Sequence, residues 1–281
     1  MKSVAPVRPS LIAGTWYEGR PKKLAAEVDS YIHEASLPDF GGEVVAVIAP
    51  HAGYLYSGAV AGHAFATVHG LEFDLVAVLS PMHASYREPL LTSSHEAYAT
   101  PLGKISIDCA AVDAVNSVLR AELGTELKPI ANDGEHSLEI ELPFLQRALC
   151  AEFNLLPIMI SEQTNKIAQA LGKALAKVLH GRKALLVGST DLSHFYPQDL
   201  ANKYDQEILQ QIESFSPEGL LEAEASGKGF ACGRGAVASV LYAAQNLGAE
   251  TVKILNYATS ANITGDYASV VGYGAAVILK N

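Results

Sequence analysis

The chain has 281 residues, of which 49% are hydrophobic and 18% charged, so it can bury a large core and is not a disordered chain. Its formal net charge of −10 disfavours nucleic-acid binding, because phosphates would be repelled. No apolar stretch reaches the ~18 residues of a membrane span, and the first residues lack the apolar run of a signal peptide. We therefore expect no membrane contact. The odd number of widely spaced cysteines favours a reducing cytoplasm.

The predicted elements alternate between helix and strand in one domain over residues 1–281. In chain order we predict a helix over 21–35, a strand over 43–49, a helix over 59–68, a strand over 73–79, short strands over 90–92 and 104–107, a helix over 110–123 and a strand over 127–130. There follow a helical stretch over 134–149 that Pro143 kinks or splits, a strand over 153–160, a helix over 165–179, a strand over 184–189, helices over 200–215, 217–225 and 234–247, and strands over 252–257 and 270–279.

Continuous apolar runs, such as the one over residues 43–49, indicate strands that are buried on both faces. Their alternation with helices predicts the α/β class, with a mixed, largely parallel central sheet and helices on both faces. In such folds, ligands bind at the carboxyl ends of the strands. We therefore looked for reactive side chains directly after the predicted strands.

Polar loops that carry histidine follow three of the predicted buried strands. His51 follows Pro50, His83 follows Pro81, and His194 closes a loop that begins after Ser189. If the first two strands are neighbours, His51 and His83 lie about 5–10 Å apart. Imidazole is the commonest metal ligand, so the pair predicts a metal site. The alternative is two loop histidines that only hydrogen-bond to the backbone.

Cys232 lies in a glycine-rich loop directly before the predicted helix over 234–247. A helix N-terminus and the neighbouring Arg234 would lower the pKa of its thiol and favour the metal-binding thiolate. The alternative is a small buried hydrophobic residue, which is how Cys109 and Cys150 are interpreted. With His51 and His83, Cys232 completes a predicted three-ligand site for one transition-metal ion.

Three further residues are candidates for proton transfer in the same site. Asp191 and His194 share one loop and could form a carboxylate–imidazole pair, or Asp191 could simply cap the next segment. His136 lies near a predicted helix start, where the helix dipole disfavours a cation, so it is a site candidate. Glu135 beside it is a weaker one, because the dipole alone explains a glutamate there.

Several motifs together resemble the Memo family, in its microbial branch called AmmeMemoRadiSam system protein B. The motifs are Ala13–Tyr17, Ile48–Tyr54, Glu135–Glu139 with Leu142–Phe144, Ser189–His194, Cys232–Arg234 and Leu255–Tyr257. The resemblance implies a fold like that of the class III extradiol dioxygenases. It also implies that His51, His83 and Cys232 are metal ligands, with Asp191 and His194 in the same pocket. The loop at His83 departs from the Gly-Pro-x-His-His that is more usual in the family.

Two imidazoles and a thiolate suit Fe(II), which we favour, with Cu or Zn as alternatives. Three ligands leave positions open, as in catalytic sites. The leading hypothesis is a dioxygenase-like redox enzyme that acts on a small molecule, with aromatic molecules among the candidates. Dioxygenases have a carboxylate where this chain offers Cys232, which argues against ring cleavage. The alternative hypothesis is a module that binds a peptide or protein in the same cleft without catalysis. The family name also suggests a radical SAM companion protein.

Overall fold

The computed structural model describes residues 5–281. Its helices are α1 (Pro21–Glu34), α2 (Tyr54–Ala66), α3 (Cys109–Leu123), α4 (Leu142–Ala148), α5 (Asn165–Leu179), α6 (Gln198–Glu213), α7 (Pro217–Ala225), α8 (Arg234–Asn246) and α9 (Ala261–Thr264). Its strands are β1 (Val7–Arg8), β2 (Glu43–Ala49), β3 (Leu75–Pro81), β4 (Leu90–Ser93), β5 (Ala97–Thr100), β6 (Gly103–Ser106), β7 (Lys128–Ile130), β8 (Asn154–Ile160), β9 (Ala184–Ser189), β10 (His194–Tyr196), β11 (Thr251–Thr259) and β12 (Val270–Lys280). Across residues 5–281, no helix is both long enough and apolar enough to cross a membrane.

The main sheet has a parallel centre and antiparallel flanks. Its order is β10-β12-β2-β9-β3-β8-β4-β7, and β11 pairs with β12. The central strands β2, β9, β3 and β8 run parallel to one another, whereas β12 is antiparallel to β2, and β4 is antiparallel to β8. A smaller sheet joins β1, β5 and β6. The predicted mixed sheet is therefore confirmed, with the parallel pairing concentrated in the middle.

The core lies on both faces of the main sheet, because successive residues of each central strand point to opposite sides. In β3, Leu75, Ala77 and Leu79 belong to one cluster of buried residues, whereas Val76 and Val78 belong to the other. Helices α3, α5, α6, α7 and α8 contribute to the first cluster, and α1, α2 and α4 to the second. Coverage by helices on both faces explains why these strands are continuous apolar runs.

Helix α2 begins at Tyr54, five residues before its predicted start. The sequence at that point is rich in aromatic residues and contains Gly58, both unfavourable for a helix. Tertiary packing overrides this preference, because Tyr31 of α1 lies against the helix and a Cβ at Gly58 or Gly62 would collide with it. The two glycines therefore allow α1 and α2 to pack closely.

The predicted helix over residues 134–149 is wrong in its first part. Residues 134–138 form no helix, a short 3₁₀ helix spans Glu139–Glu141, and α4 follows with Pro143 in its first turn. Pro143 therefore starts a helix rather than kinking one, as its missing N–H allows. As a consequence, Glu135 and Glu139 do not share a helix face, and the helix-dipole argument for His136 does not apply.

Candidate metal centre

The carboxyl ends of the central strands deliver the predicted site residues to one cleft. His51 follows β2, His83 follows β3, and Asp191 follows β9, all at the same edge of the sheet. The cleft has a volume of about 610 Å³, and its lining includes His51, His83, His136, Asp191 and His194. These residues therefore lie together, as expected for side chains that follow the ends of parallel strands.

Three imidazoles converge in this cleft. One ring nitrogen from each of His51, His83 and His136 lies within 4.8 Å of the others, close enough for a shared ion. The His83 and His136 rings are nearly parallel, with centroids 4.9 Å apart, and the His51 ring stands edge-on to both. His136, which we had expected to act in proton transfer, thus also has the position of a ligand.

His51 is fixed by a chain of hydrogen bonds behind its ring. Its Nδ1 lies 2.9 Å from Ser189 Oγ, which lies 2.8 Å from the Ser137 carbonyl and 2.6 Å from Glu141 Oε1. Burial raises the pKa of the Glu141 carboxyl well above its ordinary value. His51 Nδ1 can donate to Ser189 Oγ, whose own hydroxyl is within donating distance of the Ser137 carbonyl and of the Glu141 carboxyl. This pattern leaves the Nε2 lone pair of His51 free for a metal.

Burial, together with the neighbouring imidazoles of His136 and His83, lowers the pKa of His51 well below its ordinary value. Burial also lowers the pKa of His136. Both rings are therefore neutral at pH 7, which is the form that binds metal.

His83 is held by Glu135 in the same manner. The carboxylate accepts hydrogen bonds from His83 Nδ1 (2.9 Å) and from the His83 backbone N–H (2.7 Å). It also accepts from the backbone N–H groups of His136 and Ser137. The bond to Glu135 raises the pKa of His83, and these donors keep the pKa of Glu135 below its ordinary value despite burial. A carboxylate behind a ligating imidazole orients the ring and increases its basicity.

An N-terminal segment, Ser10–Tyr17, forms one wall of the cleft. Trp16 packs on His136 with ring centroids 4.2 Å apart. The segment is anchored by Glu139, whose carboxylate accepts hydrogen bonds from its backbone and from the side chains of Ser10 and Tyr17. Arg8 compensates the buried charge of Glu139 through a 2.8 Å ion pair. Glu139 is therefore a structural residue that positions the wall.

Cys232 lies beside His51, with Sγ 3.1 Å from Nε2. Two ligands of one tetrahedral ion, bound at 2.0–2.3 Å, stand about 3.5 Å apart, so this separation suits a shared metal. Gly233 makes the approach feasible, because a Cβ there would collide with the carbonyl oxygen of Ser189. The predicted convergence of this sulfur with both His51 and His83 is seen only for His51. Among residues 5–281, the ligand atoms that lie within 4.8 Å of one another belong to His51, His83 and His136, and Cys232 is not in that group.

Two expectations about the cysteines are wrong. Arg234 does not activate Cys232, because its guanidinium pairs with Glu224 at 2.6 Å. Burial, reinforced by the carboxyl of Asp191, instead raises the thiol pKa, so only a bound cation would favour the thiolate. Cys109 and Cys150 are exposed rather than part of the core, since they lie at or beyond helix ends.

Asp191 and His194 both line the cleft, as predicted for a proton-transfer pair, but each is held by a separate backbone group. Asp191 Oδ1 accepts from the His51 backbone N–H at 2.8 Å, and His194 Nδ1 lies 2.8 Å from the Leu192 carbonyl. Burial raises the pKa of Asp191 to about 7 and lowers the pKa of His194. Asp191 can therefore exchange a proton near neutral pH, whereas burial favours the neutral form of His194.

The sequence reasoning missed the residues that support the histidines. Ser189 and Glu141 were not singled out, and Glu135 was ranked as weak, although it organises His83. A serine at a strand end and a glutamate in an apolar stretch were the available signs. Among the remaining histidines, His33, His69 and His180 are exposed, whereas His95 is buried, with its Nδ1 2.7 Å from the Ala5 carbonyl.

The fold and the site define an α/β protein with a cluster of histidines suited to a metal ion at the carboxyl edge of its sheet. The family model described as Memo-like protein matches residues 8–277. The chain therefore belongs to the Memo family.

Full-length relatives agree with this assignment. The chain is 34% identical to a MEMO1 family protein of Methanothermobacter thermautotrophicus, over 95% of this chain and 98% of that one. It is 31% identical to a MEMO1 family protein of Nitrosopumilus maritimus, over 96% of this chain and 98% of that one. An uncharacterized protein from Escherichia coli K12 has a similar fold, with a TM-score of 0.53 at 13% identity over 84% of this chain and 100% of that one. That last likeness concerns the fold alone.

Proposed function

We propose that this protein is a non-heme, metal-dependent redox enzyme of the dioxygenase-like type, acting on a small molecule bound in the cleft. The observation that carries the proposal is the convergence of three imidazoles in an open cleft, of which His51 and His136 are neutral at pH 7. Each of two rings has its far nitrogen held by a buried partner, Ser189 or Glu135. Such support is typical of metal-ligating histidines and is unnecessary for loop histidines.

We propose His51, His83 and Cys232 as the ligands of one transition-metal ion, with His136 beside it. The 3.1 Å separation of Cys232 Sγ and His51 Nε2 supports this choice. This donor set fits Fe(II), which we favour, and it also accommodates Cu or Zn. A bound Fe(II) would supply O₂-dependent redox chemistry. The reducing cytoplasm predicted from the unpaired cysteines would keep Cys232 available as a thiol.

The remaining cleft residues would handle protons. Asp191, with its pKa raised to about 7 by burial, can take a proton from a ligand hydroxyl and return it. Neutral His194 has Nδ1 directed to a carbonyl, so its Nε2 is free to accept. His136 is neutral and shielded on one side by Trp16, which limits access of water to this ring.

The proposal is tested by loading the protein with Fe(II) under anaerobic conditions and then measuring both metal content and O₂ uptake with a panel of phenolic compounds. We expect about one metal ion per chain and O₂ uptake with at least one phenolic compound. Cys232→Ser and His51→Ala should lose metal, whereas Cys109→Ser and His180→Ala, which change exposed residues, should retain it. A fully loaded protein that consumes no O₂ with any compound would exclude the redox function.

A second function is favoured by the exposed aromatic side chains of the cleft. Trp16, Tyr56 and Phe195 line the cleft and are 39%, 41% and 75% exposed. Aromatic side chains of this kind also bind peptides, so the alternative is a peptide- or protein-binding module. If Cys232→Ser loses its metal but binds the same peptide or protein as wild type, this alternative is favoured. A pull-down with the native host's proteins would test the proposed radical SAM companion.

A further inference from the structure

Phe195 occupies an unusual position in the cleft. Its side chain is 75% exposed, although phenylalanine is normally buried, and it lines the same cleft as the histidine cluster. Its backbone has a φ of 64°, in the left-handed region that bulky residues avoid. The neighbouring ring of His194 lies edge-on to it, with centroids 5.7 Å apart.

The strain arises from a bulge in β10. His194 pairs with Val271 and Tyr196 with Val270, so Phe195 is an extra residue between two consecutive partners. At such bulges the left-handed position is usually taken by glycine. Because the side chain is mostly exposed, its burial does not offset the strain. Residues held in this way cluster at sites of function, so the ring has a role other than folding.

The surroundings indicate which ligand the ring would meet. The cleft also presents the rings of Trp16 and Tyr56, with the buried Tyr273 behind its wall, and no lysine or arginine lines it among residues 5–281. Apart from the proposed metal ion, a phosphate or carboxylate would find no lysine or arginine as a partner there. A flat, uncharged ring would instead find aromatic faces on which to stack.

We propose that Phe195 is a binding residue that stacks on a planar, uncharged aromatic ring of the ligand and so selects aromatic over saturated molecules. This inference rests on the proposed function, since the metal would bind a hydroxyl of the same ring. A glycine at position 195 would relieve the backbone strain, but it has no ring on which the ligand could stack.

The test compares catechol with cis-cyclohexane-1,2-diol, which carries the same two hydroxyls on a saturated ring. Binding is measured by calorimetry with Zn²⁺-loaded and with metal-free protein, for wild type, Phe195→Gly and Phe195→Tyr. We expect Phe195→Gly to lose about three- to tenfold in affinity for catechol and little for the diol. Phe195→Tyr should restore catechol binding. The Tm of Phe195→Gly should rise by roughly 1–3 °C, because the strain is relieved.

Phe215→Gly is a matched control, because Phe215 also has a left-handed φ, of 55°, but packs against the core. We expect its Tm to fall and its catechol affinity to stay unchanged. A lower Tm for Phe195→Gly, or an unchanged ratio of catechol to diol affinity, would overturn the inference. If Zn²⁺ does not bind at all, the proposed metal function fails. The ratio of catechol affinity to diol affinity, measured in metal-free protein, then still decides the role of Phe195.

Discussion

Replacement of Glu135 by glutamine tests how the protein prepares His83 for a metal. The buried carboxylate accepts hydrogen bonds from His83 Nδ1 and from the backbone N–H groups of His83, His136 and Ser137. A glutamine keeps one accepting oxygen and turns an NH₂ group toward donors. At least one buried N–H then loses its partner, which costs about 1.5–3 kcal/mol for a bond to a charged group. We also expect Zn²⁺ affinity to fall about 10–100-fold, as when other outer partners of ligating histidines are removed.

Both effects of Glu135→Gln are measurable on the purified protein. The free energy of unfolding comes from urea denaturation, and the Zn²⁺ affinity comes from competition with a chromophoric chelator. Glu213→Gln, at the exposed end of α6, is a matched control that should change neither quantity. A Zn²⁺ affinity within threefold of wild type would refute the idea that Glu135 prepares His83.

Three other substitutions test residues that support or line the site. Arg8→Leu leaves two buried carboxylates without their cation and should destabilise the protein by about 3–5 kcal/mol in urea; a loss below 1 kcal/mol would contradict this. The folded-state pKa of Asp191 is raised from 3.8 to about 7, so the free energy of unfolding of metal-free protein should fall as the pH rises between these two values. Asp191→Asn should flatten this dependence on pH, and an unchanged slope in the variant would contradict the prediction. Gly233→Ala would place a Cβ against the Ser189 carbonyl and should cost about 1–3 kcal/mol, so wild-type stability would argue against the close approach.

The parts of the fold that were predictable from sequence are those with a strong local pattern. Helix α5 has the predicted bounds because Thr164 caps its start and its apolar stripe is regular. The strands before His51 and His83 were evident because continuous apolar runs end at a proline. The edge of the sheet that holds the site followed from these ends, since parallel strands finish together.

The parts that were not predictable depend on residues distant in sequence. Residues 134–138 look helical, but Glu135 is drawn into hydrogen bonds with His83, which is 52 positions away. The local sequence predicts that Arg234 lowers the pKa of the Cys232 thiol, but in the fold its guanidinium forms an ion pair with Glu224. No local pattern reports such partners, because they meet only when the fold is complete.

In the proposed site, the Cys232 sulfur and the imidazoles of His51 and His83 bind one metal ion. X-ray absorption spectroscopy of the metal-loaded protein tests it directly, with Cys232→Ser and Cys109→Ser measured beside wild type. We expect one sulfur at about 2.3 Å and nitrogen ligands at about 2.0–2.1 Å in wild type and Cys109→Ser, with the sulfur lost in Cys232→Ser. A spectrum with only nitrogen and oxygen ligands, identical in all three proteins, would contradict the claim.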